Sequence, residues 1–124
     1  MTYPLTPREL EIVAVLWELG DGTVAEVRDR LPDDLAYTTV LSLMRTMVAK
    51  GYLRAVPEGR AYRFHPRIKR EAVQRGALAT LVGSLFGGSA ELVIANLVSD
   101  RTLSRADLRK VRRLIDERLR EEDK

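Results

Sequence analysis

The stretch 36-AYTTVLSLMRTMVAKGYL-53 decides the fold of this chain. Between residues 37 and 50 its apolar residues recur at positions i, i+3, i+4, i+7 and i+8, which predicts a helix with one buried stripe: Val40, Leu43, Met44, Met47 and Val48. The opposite side carries short polar groups and one long basic side chain: Thr38, Thr39, Ser42, Arg45 and Thr46. Threonine and serine are poorer helix formers than alanine, glutamate or lysine. Their concentration indicates that this face serves something other than helix stability.

Two shorter helices are predicted before this one, each opened by a T-x-x-E capping box. The first box covers residues 6–9, and Gly20 ends that helix, with inward positions Leu10, Val13, Leu16 and Trp17. A turn is expected at residues 20–22. The second box covers residues 23–26 and Pro32 stops its helix, with inward positions Val24, Val27 and Leu31.

A β-hairpin is predicted after residue 52. Polar and apolar residues alternate weakly over residues 53–57 and again over 60–65, with a turn at Glu58-Gly59 between them. Tyr62 and Phe64 fall on the same face of the second strand, so both are expected to point into the core. Three helices followed by a hairpin is the element order of a winged helix-turn-helix domain.

Charge is distributed unevenly along the 124 residues, whose formal net charge is +3. Residues 36–70 hold eight basic residues and one acidic residue, a net of +7, whereas residues 1–35 hold three basic and eight acidic residues, a net of −5. A basic block that includes a helix with short polar groups is typical of a surface that binds nucleic acid phosphates.

Only helices are predicted after Pro66. Candidates cover residues 68–85 and 91–98, and Ser104 caps a last helix with the apolar stripe Leu108, Val111, Leu114, Ile115 and Leu119. The final residues EEDK are expected to fray. Three short helices cannot bury much surface alone, so their stripe must pack on the preceding domain or, as we favour, on a second copy of the chain. We predict a winged-helix DNA-binding domain over 1–66 and a helical dimerisation domain over 67–124.

No catalytic or metal-binding motif is recognisable. The chain has no cysteine, which excludes disulfides, a thiolate nucleophile and cysteine metal sites. The one histidine, His65, lies at the end of a basic strand, where a surface role explains it better than a general base does. We predict a protein that is not an enzyme and uses no cofactor or metal. Without a signal-peptide pattern or an apolar run of about 18 residues, it is expected in the cytoplasm and not inserted in a membrane.

The polar side of the 37–50 helix and the hairpin together predict an interface for duplex DNA. Threonine and serine can donate to phosphates or base edges, and arginine can do so over a longer distance. The candidate contacts are Thr38, Thr39, Ser42, Arg45, Thr46 and Lys50 on the helix and Arg54, Arg60 and Arg63 on the wing at 53–65. The alternative is a winged-helix module that binds protein and has no sequence-specific DNA binding. Leu41, beside the polar face, either packs near the helix N-terminus or touches a thymine methyl.

Several motifs resemble the BlaI/MecI/CopY family of penicillinase repressors: TPRELEIV at 6–13, LW at 16–17, LAYTTV at 35–40, KGYL at 50–53 and GRAYRF at 59–64. The resemblance implies a homodimeric winged-helix repressor that binds a palindromic operator through the 37–50 helix. Its C-terminal helices would intertwine as the dimer interface. Many members control genes for β-lactamase or penicillin-binding proteins, often beside a membrane sensor protease, so cell-wall stress genes are the expected targets.

The resemblance also bears on single positions. It supports Thr38, Thr39, Ser42, Arg45 and Thr46 as the helix contacts, with Arg60 and Arg63 on the wing. The family commonly has Arg followed by Leu where this chain has Thr46-Met47, and here the arginine stands one place earlier, so the operator sequence is left open. Some members are inactivated by cleavage at an Asn-Phe bond in the dimerisation region, and the nearest match in this chain is Asn96-Leu97.

Overall fold

The computed structural model describes residues 3–124, which form six helices and three short strands. In chain order these are α1 (Pro7–Leu19), β1 (Gly22–Thr23), α2 (Val24–Arg30), α3 (Tyr37–Ala49), β2 (Leu53–Glu58), β3 (Ala61–Pro66), α4 (Arg70–Leu85), α5 (Ala90–Val98) and α6 (Arg105–Glu122). The predicted fold class, mainly helical with a small β wing, is confirmed.

Side-chain caps fix where α1, α2, α5 and α6 begin. At α1, Thr6 Oγ1 accepts a hydrogen bond from the Glu9 backbone N–H at 3.2 Å, and Glu9 Oε1 accepts one from the Thr6 N–H at 2.9 Å. Capping boxes of the same kind open α2 and α6, as predicted. Each box satisfies amide groups that the first helical turn leaves without a partner, which stabilises a helix by about 1 kcal/mol.

The three strands form one antiparallel sheet in the order β1-β3-β2. Residues 20–22 were expected to form only a turn, but Gly22 and Thr23 form β1 and pair with Phe64 and Arg63 of β3. A Cβ atom on Gly22 would lie 3.4 Å from Leu16 Cδ2, so the strand runs close against α1. The third strand therefore ties the wing to the helices.

One hydrophobic core holds the first compact unit, which extends to Leu78. From α3 it takes Val40, Met44 and Met47, all 0% exposed, with Leu43 and Val48 half-buried beside them, so the predicted stripe is confirmed. The other helices and the sheet contribute Ile12, Val13, Leu16, Val24, Val27, Leu31, Leu53 and Phe64. As a result α3 packs on the core through its apolar side.

Two side chains predicted to point inward lie at the surface instead. Leu10 is exposed, and the buried residue at this end of α1 is its neighbour Glu9, at 2% exposure. Tyr62 is 48% exposed, whereas Phe64 on the same face of β3 is 2% exposed. Tyr62 pairs with Pro57 toward the hairpin tip, beyond β1, which pairs only with residues 63 and 64.

The second compact unit, Ala79–Lys124, buries far less apolar surface. Within the described residues its only buried hydrophobic side chain is Val93. The α6 stripe is exposed apart from the half-buried Val111, with Leu114 at 65% and Leu119 at 57%. The helix extends to Glu122, two residues into the segment predicted to fray, and an ion pair between Arg118 and Glu122 supports this last turn.

The division between the two units falls within α4, after Leu78, and Val73 in the first turn of this helix belongs to the core of the first unit. The domain boundary placed at residue 66 from the sequence stays a prediction. Over residues 3–124, no single helix is long and apolar enough to cross a membrane. Helices α4 and α5 reach the required length and composition only as a pair, which is bent by 100° at its break.

Candidate nucleic-acid interface

The polar side of α3 is open to solvent along the helix. Five predicted contacts lie there on one face, and all of them are exposed: Thr38, Thr39, Ser42, Arg45 and Thr46. Thr46 Oγ1 donates to the Ser42 backbone oxygen at 3.0 Å. The other four side chains have neither a hydrogen bond nor an ion pair within residues 3–124. The structure therefore brings these five residues together on a surface available to a partner.

The N-terminus of α3 differs from those of α1, α2 and α6 because no side chain caps it. Its N-cap residue is Ala36, which offers no acceptor to the amide groups of the first turn. These amides, with the positive end of the helix dipole, attract an anion such as a phosphate. The exposed hydroxyl groups of Thr38 and Thr39 stand at this end.

Lys50, at the other end of α3, pairs with a buried carboxylate of α1. Its Nζ lies 2.9 Å from Glu9 Oε2. Burial acts to raise the pKa of Glu9, but the hydrogen bonds from Thr6 and Lys50 outweigh it, and the net pKa is lowered. Lys50, predicted as a DNA contact, is therefore engaged in fixing the end of α3 to the start of α1.

Arg63 on β3, also a predicted DNA contact, is surrounded by three carboxylates. Its Nη1 lies 2.8 Å from Asp21 Oδ1 and 3.3 Å from Glu26 Oε1, and its Nη2 lies 3.0 Å from Glu58 Oε2. Hydrogen bonds to Glu58 and Asp21 raise the pKa of Arg63 above its ordinary value. Three carboxylates leave no surplus positive charge on this guanidinium. It joins the wing to the turn before β1 and to the first turn of α2.

The positive charge left available on α3 and the wing comes from three arginines. Arg45 on α3 and Arg54 and Arg60 on the wing are exposed and have no ion pair within the described part of the chain. Elsewhere in the basic block, the Arg70 guanidinium lies 5.5 Å from the ring centroid of Trp17. The structure thus separates the nine predicted contacts into seven exposed residues without a carboxylate partner and two, Lys50 and Arg63, that are paired with carboxylates.

Two residues near this surface have roles that sequence reasoning missed. Glu9 was assigned only to a capping box, although its buried carboxylate also holds Lys50. Tyr62 was assigned to the core, yet it stands exposed beside α3. Leu41 is half-buried and packs against the core, as the first of its two predicted explanations requires.

Asn96 and Leu97, the predicted cleavage site, lie inside α5. The Asn96 side-chain amide donates to the Leu92 backbone oxygen at 2.8 Å, and both residues of the bond are exposed. A protease binds an extended segment, so cleavage here requires α5 to unwind locally. In residues 3–124, no group of three or more histidine, aspartate or glutamate side chains is placed to hold a metal ion.

Comparison with known proteins gives three findings. A model of the penicillinase repressor family matches residues 5–117. An uncharacterized 16.5 kDa protein in the ptsI 3′ region of Latilactobacillus sakei is 26% identical over 116 residues, which cover 92% of this chain and 80% of that protein. The structure of a MarR family protein from Bacillus stearothermophilus is similar with a TM-score of 0.50 and 25% identity, over 92% of this chain and 77% of that chain.

The family match covers most of the chain, and the structural neighbour supports a winged helix-turn-helix fold. The predicted family and fold class are confirmed. The chain belongs to the penicillinase repressor family and is a winged-helix, DNA-binding regulator of transcription.

Proposed function

We propose that this protein is a homodimeric repressor that binds a palindromic operator in duplex DNA. The observation that carries the proposal is the exposed polar face of α3, where Arg45 and four hydroxyl side chains lie together. Short side chains let a helix approach the base edges of the major groove closely. Buried apolar residues on the other side hold the helix in place, so the face is presented rigidly.

The wing supplies a second contact to the same DNA. Arg54 and Arg60 are exposed and unpaired in the described residues, so they can neutralise phosphates or enter the minor groove. Arg63 and Lys50 act indirectly in this proposal, because their carboxylate partners hold the wing and α3 in position.

The second unit supplies the dimer interface. Its exposed apolar side chains include Leu108, Leu114, Ile115 and Leu119 on α6 and Leu92, Ile94, Leu97 and Val98 on α5. A surface this rich in leucine is a partner surface. A second copy of the chain, related by a two-fold axis, would cover it and present two α3 helices to the two halves of a palindrome.

The DNA proposal is tested by selecting bound sequences from random duplexes and then measuring affinity against salt concentration. We expect a two-fold symmetric consensus, and with about six arginine–phosphate contacts per dimer the affinity falls about a thousandfold between roughly 50 and 200 mM salt. Arg45→Ala should weaken binding at least tenfold. Arg120→Ala, the same change at an exposed arginine of α6, is the matched control.

Two outcomes would contradict the DNA proposal. One is an affinity that does not change with salt, and the other is equal effects of Arg45→Ala and Arg120→Ala. If no duplex is bound at low salt while a protein partner is captured, the alternative of a winged-helix protein-interaction module is favoured instead.

The dimer is tested by light scattering after size-exclusion chromatography. Leu114→Asp places a charge in the apolar stripe and should convert the dimer into monomers with an intact fold, because Leu114 is exposed in the single chain. Arg113→Asp adds the same carboxylate on the side of α6 away from the stripe, at an exposed position, and should leave the dimer intact. A wild-type protein that is monomeric at all concentrations would refute the dimer.

The regulated genes and the inducing signal enter the proposal through the family. We include β-lactamase or cell-wall stress genes as targets, a cytoplasmic location, and a membrane sensor protease that cleaves between Asn96 and Leu97. Mass spectrometry of the protein from cells treated with a β-lactam tests this: a fragment ending at Asn96 is expected. Asn96→Ala and Leu97→Ala should suppress it, and derepression with the chain intact would exclude this route.

A further inference from the structure

A small apolar crevice opens between α3 and the wing, and the proposed DNA contacts use only one of the residues that line it. Its volume is about 180 Å³. The lining consists of three residues along one edge of α3 and three from the sheet: Leu41, Arg45, Val48, Ala55, Tyr62 and Phe64. Phe64 is the most deeply buried of these, and Tyr62 and Arg45 are the exposed residues at its edge.

Contact with a DNA backbone does not require such a crevice. Phosphates and base edges are bound through hydrogen bonds and charge, whereas Leu41, Val48 and Ala55 present half-buried apolar groups here. A buried cavity of about 150 Å³ lined by apolar side chains is large enough to bind benzene. The crevice of about 180 Å³ therefore has the size and the lining for a single aromatic ring.

The single charged residue of the crevice indicates that its ligand carries a negative charge. Arg45 is the one charged residue among the six, and no carboxylate within residues 3–124 pairs with it. A guanidinium beside an apolar surface can bind a carboxylate through two parallel hydrogen bonds. Arg63, on the other face of β3, differs from Arg45 because it already has three carboxylate partners within the chain.

We propose that this crevice binds a small aromatic monocarboxylate, with its ring against Leu41, Val48 and Phe64 and its carboxylate on Arg45. One consequence rests on the proposed function. Because the ligand and DNA both require the Arg45 guanidinium, the two exclude each other, and the ligand releases the operator. A ligand that binds only the DNA-free form shifts the equilibrium by its differential affinity.

The site is tested first without DNA, with benzoate as the probe. Sodium benzoate is titrated into the isotope-labelled full chain, and backbone amide shifts are followed by NMR. Benzamide has the ring without the charge and acetate has the charge without the ring, and both are compared at equal ionic strength. We expect shifts around the crevice and affinity for benzoate about tenfold above that for benzamide, the value of one charge-assisted pair. Equal responses to the three compounds, or shifts elsewhere on the chain, would overturn the site.

Two variants test separately how the charge of Arg45 and the apolar lining of the crevice contribute to benzoate binding. Arg45→Gln, at an exposed position, should reduce benzoate affinity to that of benzamide, about tenfold. Ala55→Leu should fill the crevice and abolish the binding of both aromatic compounds, with thermal melting confirming that the variant is folded. Arg75→Gln, an exposed arginine of α4 outside the crevice, is the matched control. Unchanged benzoate affinity in Arg45→Gln overturns the proposed carboxylate contact by itself.

Adding the selected operator distinguishes this site from the proposed function. Benzoate should raise the apparent Kd of the wild type for the operator, while acetate at equal ionic strength does not. If the chain binds benzoate but no DNA, the proposed ligand site is supported and the proposed repressor function is refuted. If the chain binds the operator but not benzoate, the repressor function is supported and the ligand site is refuted. Simultaneous binding of benzoate and operator would refute their mutual exclusion.

Discussion

The two compact units of this chain differ in where their apolar side chains lie: the first buries them in a core, and the second leaves most of them exposed. In the first unit, apolar side chains of three helices and a sheet converge on one core, where Leu16, Val40 and Met44 are 0% exposed. In the second unit Val93 is the only buried hydrophobic side chain of the described residues, and Leu114 is 65% exposed. Both units carry a helical apolar stripe, so a stripe in the sequence predicts that its residues become buried but does not say whether the same chain or a partner buries them.

The difference has a functional meaning in the proposed repressor. A unit whose core is complete can hold one helix rigidly and use its other side for DNA. A unit whose stripe is exposed needs a partner, and its stability then depends on protein concentration.

The largest expected effect comes from the same substitution made in both units. Leu16→Ala removes a fully buried side chain and should lower the free energy of unfolding by about 2–5 kcal/mol. Leu114→Ala, at a side chain exposed in the single chain, should change it by less than about 0.5 kcal/mol when the protein is dilute. Urea unfolding at several protein concentrations measures both.

The concentration series sharpens the comparison. If a second copy covers α6, the cost of Leu114→Ala should grow as the protein concentration rises, while the cost of Leu16→Ala stays constant. A concentration-independent loss of several kcal/mol at Leu114 would show that this side chain is buried within a single chain.

The buried carboxylate of the first unit should produce the next largest effect. Glu9→Ala removes the acceptor for both the Thr6 N–H and the Lys50 ammonium, and it should cost about 2 kcal/mol, because hydrogen bonds to charged groups contribute roughly 1.5–3 kcal/mol. Glu11→Ala, a carboxylate on the same helix that bonds to Arg8, is the control with a smaller expected loss. Thermal melting near neutral pH compares the two.

The same carboxylate gives a pH dependence of known sign. The pKa of Glu9 is lowered in the folded chain from its ordinary value of 4.5. Its stabilising contribution is therefore complete above pH 4.5 and is lost as the pH falls below that value through the folded-state pKa. The stability gap between the wild type and Glu9→Gln should narrow below pH 4.5. A gap that stays constant down to pH 2 or so would show that Glu9 gains nothing from being ionised.

Glu9 also shows what the sequence could predict and what it could not. Helix starts, the α3 stripe and the hairpin follow from local patterns of capping, period and turn residues, and all three are present. The Lys50 partner of Glu9 stands 41 residues away, and the three partners of Arg63 come from different elements. Local periodicity carries no information about such pairings.

In the candidate site, too, the part that lies within one helix could be predicted, and the part that depends on residues distant in sequence could not. The exposed face of α3 was predictable because its residues lie within one helix, at spacings that place them together. Whether a basic residue is available depends instead on its three-dimensional neighbours, which is why Lys50 and Arg63 were grouped with Arg45, Arg54 and Arg60. Tyr62 was misplaced because alternation gives the face of a strand and not the extent of the core beneath it.

Two of the three wing arginines, Arg60 and Arg63, should show the difference between a side chain that is available to DNA and one that holds the wing in position. Both effects should be smaller than that of Glu9. Arg60→Ala should leave the melting temperature unchanged and reduce the slope of log affinity against log salt by about 1 per protomer. Arg63→Gln should lower the melting temperature, because Asp21, Glu26 and Glu58 lose their shared partner, and leave the salt slope unchanged. If Arg63→Gln reduces the slope as Arg60→Ala does, Arg63 contacts a phosphate in the complex.

The smallest expected effect is a gain in stability on α3 itself. Ser42 is exposed and its hydroxyl makes no hydrogen bond within the described chain, so Ser42→Ala should raise the melting temperature by about 1–3 °C, since alanine is the better helix former by roughly 0.5 kcal/mol. The same variant should lose about fivefold in operator affinity if the hydroxyl contacts DNA. Ser84→Ala in α4, where the hydroxyl bonds to the Thr80 oxygen, controls for the substitution itself and should not affect DNA binding. Higher stability with unchanged operator affinity would mean that the serine is only a tolerated surface residue. Opposite signs in the two measurements would show that this helix keeps residues unfavourable to its own stability because DNA requires them.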